Sequence, residues 1–138
     1  MHEVVVAALV REGRVLLVHR SPNRRAYPGV WDLPGGHIET GETELAALTR
    51  ETHEELGVQI ATGSAIHLCR LDAGRGGEFV RLSAWLVGEW DGTPTNIAPE
   101  EHDEIRWFRP EEFPPLAHER LGTALAEAIR VLAPDPQA

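Results

Sequence analysis

The stretch Gly36–Val58, GHIETGETELAALTRETHEELGV, decides how this chain is read. Thr43 can cap a helix N-terminus, Glu44 suits the first turn and Gly57 suits the position just past the end, so the pattern predicts a helix over 43–56. At about 3.6 residues per turn, Leu45, Leu48, Thr52 and Leu56 fall on one stripe, the expected core face. Glu51, Glu54 and Glu55 are related by i+3 and i+4 and are expected to share a different face. Each like-charge pair there costs about 0.2–0.5 kcal/mol, and the C-terminal end of a helix dipole disfavours anions as well. Arg50 can pair with Glu54, but one cation does not balance three anions. Two readings remain from these residues alone. The face is a solvated acidic surface, or it holds a hard divalent cation such as Mg²⁺ or Mn²⁺, which prefers oxygen donors.

The rest of the chain sets the frame. Its 138 residues are enough for one domain with a real core, and 42% hydrophobic with 25% charged residues is ordinary for a soluble protein. No apolar run approaches the roughly 20 residues that span a bilayer. The start, MHEVVVAALV, reads as a strand and not as a leader. One cysteine, Cys69, cannot form an internal disulfide, which fits a cytoplasmic setting. A net charge of −9 argues against binding a nucleic-acid polymer. The thirteen basic residues are all arginine, which excludes a lysine Schiff base or a Walker lysine.

Residues 3–10 and 14–20 read as a hairpin turning at Glu12-Gly13. Residues 21–30 are a loop, and Trp31-Asp32-Leu33 is a short extended piece running into Pro34-Gly35-Gly36. Residues 58–71 and 78–90 are expected strands joined by the loop 72–77, and 104–108 is a short strand. A second helix is expected from about Ala117 to Leu132, with Leu121, Leu125, Ile129 and Leu132 at helical spacing. Strands and helices mix, as in α/β folds.

From Gly36 onward the chain carries Gly36, Glu42, Arg50-Glu51, Glu54-Glu55 and Gly57, followed by apolar Val58, at the spacing of the Nudix box, and it resembles the Nudix hydrolase superfamily, MutT-like members included. The lead-in Gly29-Val30-Trp31-Asp32-Leu33-Pro34-Gly35-Gly36 and the acidic stretch before Trp107-Phe108 extend the resemblance over most of the chain. One position departs: Thr52 stands where a bulky aliphatic is usual. It lies on the core stripe, and its hydroxyl could bond back to a helix carbonyl.

The resemblance implies an α/β Nudix fold, an α/β/α sandwich with a central mixed sheet and the Nudix loop-helix motif, in one domain over 1–133 with a loose tail at 134–138. It implies hydrolysis of a nucleoside diphosphate linked to another group, with Mg²⁺ (or Mn²⁺ in its place) as cofactor. Glu54 and Glu55 are then metal ligands, Glu51 a ligand or the base that activates water, and the carbonyl of Gly36 or Gly35 a further donor. Arg50 orients the glutamates, and Glu42 pairs with Arg50 or a backbone amide. Glu104, then Glu101, are the candidates for a carboxylate supplied from a distant loop. Arg20, Arg24 and Arg25 are either phosphate ligands or surface arginines. Tyr27 and Trp31 are either base-stacking or core residues. His37 follows the glycines, where it could reach a phosphate, and His53 reads as an exposed bystander.

The proline that often marks ADP-ribose hydrolases past the box, and the tyrosine that often marks diadenosine polyphosphate hydrolases, are both missing from LCRLDAGRG. Residues 16–36 partly match the coenzyme A diphosphatase signature, but Val18 and Leu33 replace its Thr and Phe. The reading favoured is a housecleaning nucleoside triphosphate pyrophosphohydrolase acting as monomer or homodimer on a small nucleotide, with an oxidised guanine nucleotide as the candidate substrate. A coenzyme A or other nucleotide-derivative diphosphatase is the alternative. A non-catalytic nucleotide sensor and an isopentenyl diphosphate isomerase are rivals; the first would lack box glutamates, and the second needs a cysteine where Cys69 is not.

Overall fold

A computed structural model describes residues 2–75 and 78–132. In chain order the elements are β1 (His2–Arg11), β2 (Arg14–Arg20), β3 (Trp31–Asp32), β4 (Gly35–His37), α1 (Glu44–Leu56), β5 (Gln59–Ile60), β6 (Ala65–Arg75), β7 (Glu78–Val87), β8 (Trp90–Asp91), β9 (His102–Phe108) and α2 (Glu119–Leu132). The expected tail and the Gly76-Gly77 part of the 72–77 loop lie outside the described residues.

The run VVVAALV makes β1 the centre of the fold. Val5, Ala7 and Leu9 pack into the core shared with Leu48 and Leu56 of α1, while Val6 and Ala8 pack into the core shared with Leu121, Leu125 and Ile129 of α2. A strand covered on both faces needs no polar alternation, which is why its sequence is continuously apolar. Parallel pairing of β1 with β7, and antiparallel pairing of β1–β2, β1–β4, β2–β3, β2–β9 and β6–β7, gives the mixed sheet expected, with one helix on each face. Glu12 (φ 53°) and Gly13 (φ 74°) form the β1–β2 turn, the left-handed pair that a two-residue hairpin requires.

Five expectations shift. Strand β6 runs on to Arg75, so residues 72–75 pair with β7 where a loop was expected. The strand expected at 58–71 breaks at a single helical turn over 62–64, and the one expected at 78–90 stops at Val87. The short pieces β5 and β8 pair with each other in a separate ribbon. The last strand starts earlier, at His102, and the last helix starts later, at Glu119. Leu132 is 54% exposed, so the core stripe of α2 ends at Ile129. No expectation had placed Gly35–His37 in the sheet, yet β4 pairs with β1 through Val4–His37, Val5–Gly36 and Val6–Gly35.

The N-terminal end of α1 is anchored to the sheet by Glu44. Its Oε1 accepts from Trp85 Nε1 at 2.9 Å and from the Ser83 hydroxyl, and its Oε2 accepts from Arg70 Nη2 at 2.7 Å. No helix among the described residues is long and apolar enough to cross a membrane.

Candidate active site

Local sequence fixes the ends of α1. Thr43 Oγ1 accepts from Ala46 N at 3.1 Å, and Gly57 takes the left-handed conformation at φ 71° while its N–H donates to His53 O. Thr52 is fully buried and donates to Leu48 O at 2.8 Å, so its hydroxyl is satisfied within the helix. The buried stripe holds Leu48, Thr52, Leu56 and also Glu55. The three glutamates lie on one side of the helix, within about 100° of its circumference, but at different depths: Glu55 is 2% exposed, the Glu51 side chain 14% and the Glu54 side chain 58%. The i+4 step from Glu51 to Glu55 leaves a net rotation of about 40°, which puts Glu55 at the core-side edge of the same face.

β4 lies flush against this helix because it is made of glycine. A Cβ on Gly35 would lie 2.1 Å from Val5 O, and a Cβ on Gly36 would lie 2.6 Å from the Glu51 carboxylate. Gly35 N donates to Glu55 Oε2 at 3.1 Å. Two adjacent glycines thus meet two glutamates one turn apart.

Arg50 organises the outer side. It holds Glu42 with two parallel bonds (Nε–Oε2 2.8 Å, Nη2–Oε1 2.9 Å), donates from Nη1 to Glu51 Oε1 at 2.8 Å and from Nη2 to His37 O at 3.1 Å, and reaches Glu54 at 3.5 Å. The Arg50 bond and the Glu39 N–H hold the Glu42 carboxyl down at about 2. Both partners expected for Glu42 are present.

Glu55 behaves differently. Burial, then the charges of Glu51 and Glu101, push its carboxyl well above the usual range, against the pull of the Gly35 N–H and Arg24. Burial also raises Glu51, offset by Arg50. Glu101 therefore stands in the field of both inner glutamates. The segment bearing it is bound to the end of α1, with Thr95 N donating to Leu56 O at 3.0 Å and Ile97 N to Glu55 O at 3.1 Å. Glu104 lies farther along β9 and is ion-paired with Arg106. Among the described residues, no three His, Cys, Asp or Glu side chains are gathered around one point. Glu51 is turned to Arg50, Glu54 to solvent and Glu55 to Gly35.

The arginine loop closes the other side. Ser21 N donates to Glu101 O at 3.0 Å. Arg20 Nε donates to the carbonyls of Ala26 (3.0 Å) and Tyr27 (3.1 Å). Arg24 is half-buried and close enough to act on Glu55, whereas Arg25 is exposed. Tyr27 meets His118 edge-on at 4.9 Å. Trp31 packs edge-on with His19 and Phe108 and belongs to the α2-side core. Gly36 faces Glu51, so alternation along β4 turns the His37 ring away from the glutamates; that ring meets His2 at 5.5 Å. His53 is exposed.

The sequence reading missed two residues. Asp32 is 7% exposed, and burial pushes its carboxyl up to about 6, against its bond from Leu33 N (2.8 Å) and the nearby charge of Arg20. His102 is 2% exposed and its Nδ1 has no hydrogen-bond partner among the described residues. A charged residue inside the apolar run VWDLP was the available signal for Asp32. Nothing local marked His102.

The NUDIX domain family matches residues 1–130. The CTP pyrophosphohydrolase of Escherichia coli is 35% identical over 81% of this chain and 78% of its own length. The nucleoside triphosphatase NudI of Salmonella arizonae is 31% identical, over 80% and 83%. Among solved structures, a MutT NUDIX hydrolase from Burkholderia pseudomallei superposes with a TM-score of 0.80 at 34% identity, covering 88% of this chain and 94% of that one. With the box residues gathered at the end of α1 as described, the chain belongs to the Nudix family, as a hydrolase of phosphoric anhydride bonds.

Proposed function

We propose that the protein is a magnesium-dependent pyrophosphohydrolase that converts a nucleoside triphosphate to a monophosphate and pyrophosphate, with Mn²⁺ able to replace Mg²⁺. The observation that carries this reading is Glu55. A carboxylate 2% exposed, with Glu51 and Glu101 adding negative charge and one backbone N–H as its hydrogen-bond donor, is a poor arrangement without a cation. The donor set is oxygen only, which suits Mg²⁺, and the missing Cβ of Gly36 leaves its backbone open beside Glu51. Glu54, Glu55, Glu101 and the Gly36 carbonyl would hold the ion, with Glu51 either a further ligand or the base that activates water. Glu104 would join only by leaving Arg106. Bound there, Mg²⁺ would neutralise the bridging phosphates and polarise the phosphorus under attack.

The protein groups around it have separate tasks. Arg50 fixes Glu51 through Oε1, leaving Oε2 as the atom that either binds the ion or takes the proton of an attacking water. Glu42 keeps Arg50 in that pose through its two parallel bonds. Arg24, and Arg20 where its guanidinium is free of the loop carbonyls, bind phosphate oxygens. Arg25 and the His37 ring could join only by turning inward from where they stand. Tyr27 with His118 offers an edge for a base. A triphosphate substrate is supported by the two relatives, one named for CTP and one for nucleoside triphosphates.

The test is a substrate panel in Mg²⁺: CTP and the other canonical triphosphates, oxidised guanine triphosphates, ADP-ribose, a diadenosine polyphosphate and coenzyme A. The expected outcome is pyrophosphate release from a triphosphate, reduced by roughly a hundredfold or more in Glu55→Gln. Release of orthophosphate alone, turnover of only a non-triphosphate, or equal rates in the variant would reject the reading.

A further inference from the structure

Strand β6 is a long open edge of the sheet. The strand order ends β1–β7–β6, and among the described residues no strand pairs with the outer side of β6. Its eleven residues, AIHLCRLDAGR, hold no proline and no lysine, the residues that sheet edges commonly use against stray pairing. Its one irregularity lies between His67 and Cys69, so residues 69–74 run in regular register with β7. Such an edge carries a row of backbone donors and acceptors for another strand.

The side chains select the strand that fits. A strand that meets its own copy about a two-fold axis pairs antiparallel. Only residues whose backbone groups point the same way can face one another, so the axis passes through a residue. An axis at Arg70 sets arginine against arginine, and one at Asp72 sets aspartate against aspartate. An axis at Leu71 sets Arg70 against Asp72 of the second copy, and does so twice. The two charges lie on the α1 face, with side chains 49% and 67% exposed. Arg70 Nη2 already holds Glu44 Oε2 at 2.7 Å, and Asp72 Oδ1 already accepts from Arg81 Nε at 3.3 Å. Pairing at Leu71 joins these two ion pairs end to end, in alternating sign, across the edge. On the other face, where Cys69 and Leu71 pack toward α2, Cys69 comes opposite the small Ala73. Phe79 is 61% exposed and stands beside Gly74 in the ladder, where no side chain screens its ring from an incoming strand. The Asp72 carbonyl accepts from Arg120 Nη2 at 3.0 Å and keeps a second lone pair.

We propose that β6 is a homodimer interface: two copies pair antiparallel through their β6 edges about a two-fold axis at Leu71, so that the sheet continues from one copy into the other. The recognition is by charge register, Arg70 to Asp72, and is independent of the chemistry at the far end of α1.

Sedimentation equilibrium of the full-length protein tests it. Between about 1 and 100 μM the mass is expected to rise toward twice 15.2 kDa. Arg70→Asp alone sets two aspartates against each other at both pairs, and Asp72→Arg alone sets two arginines, so each is expected to weaken the dimer about tenfold or more. An equimolar mixture of these two variants restores opposite charges at both pairs and is expected to form a heterodimer within about threefold of wild-type affinity. The register has its own readout. Ala73→Cys places a thiol opposite Cys69 of the second copy, while Cys69 of the same chain is about 13 Å away along the strand, too far for a disulfide. Copper-catalysed air oxidation is expected to give a covalent dimer on a non-reducing gel, lost when Cys69→Ser is added. A monomer at every concentration, single variants that dimerise like the wild type, a mixture no tighter than its components, or no cross-link in Ala73→Cys overturns the proposal.

Discussion

Asp32 shows how far one residue can be set against stability. Its Oδ1 accepts the Leu33 N–H at 2.8 Å, but its nearest cation, Arg20, stays 4.0 Å away. The folded carboxyl titrates at about 6 where an exposed one titrates at 3.8. Between those values the folded protein holds a proton that the unfolded chain has released, so raising the pH through that window removes stability. Above pH 6 the full cost stands, roughly 3 kcal/mol from the size of the displacement. An asparagine in its place would keep the acceptor for Leu33 and carry no charge. Asp32→Asn is therefore expected to raise stability by about 1–3 kcal/mol at pH 7.5 and to change it little at pH 4. Urea unfolding at the two pH values checks this, and an equal gain at both would show that burial of charge is not the cause. The residue itself was visible in the sequence; its burial was not, because that depends on β3 pairing with β2, which sets Asp32 opposite Val18.

At the scale of the element, the loop-helix unit separates what a sequence reveals from what it hides. Helix α1 was readable from Thr43 to Gly57 because caps and apolar spacing are local. Strand β4 was not, since three residues reading Gly-Gly-His carry no strand propensity; only the backbone of β1 makes them a strand. The same pairing brought Glu55 against Gly35, which helical periodicity alone could not show. The two glycines should fail in different ways. A methyl on Gly35 meets the backbone of Val5 and Val6, which cannot move without opening the sheet. A methyl on Gly36 meets the Glu51 carboxylate, which can swing. Gly35→Ala is expected to cost about 3 kcal/mol or more. Gly36→Ala should cost under about 1.5 kcal/mol yet lower activity by roughly a hundredfold, because Glu51 leaves its place by Arg50. Thermal unfolding and turnover measured on both variants check the split, and the reverse ranking would show that the glycines have exchanged roles.

Across the whole molecule, three separate segments converge on the C-terminal half of α1: β4 before it, residues 95–101 far after it, and the arginine loop at 20–25. Their backbones are joined in sequence, Ile97 to Glu55 and Ser21 to Glu101, so the acidic centre is built by the fold as a unit and not by the helix alone. As the metal site proposed above, such a centre would link metal binding to both folding and protons. Without a cation, Glu55 favours its protonated form well above the ordinary carboxylate range. Raising the pH from the unfolded value of about 4.3 toward the folded value then takes stability away. A divalent ion must displace that proton, so its apparent affinity rises with pH. Saturating Mg²⁺ or Mn²⁺, near a hundred times its dissociation constant, is expected to add about 2.7 kcal/mol, which for a chain of this size is a rise of roughly 5–10 °C in Tm. The rise should be larger at pH 8.5 than at pH 6.5 and should be abolished by EDTA. In Glu55→Gln the metal-free Tm at pH 8.5 should exceed that of the wild type, while the metal-induced shift disappears. Differential scanning calorimetry across the four conditions decides the matter. A metal shift that survives in Glu55→Gln, or that shrinks as the pH rises, would mean that the ion is held by the exposed carboxylates and that the buried glutamate serves the fold alone.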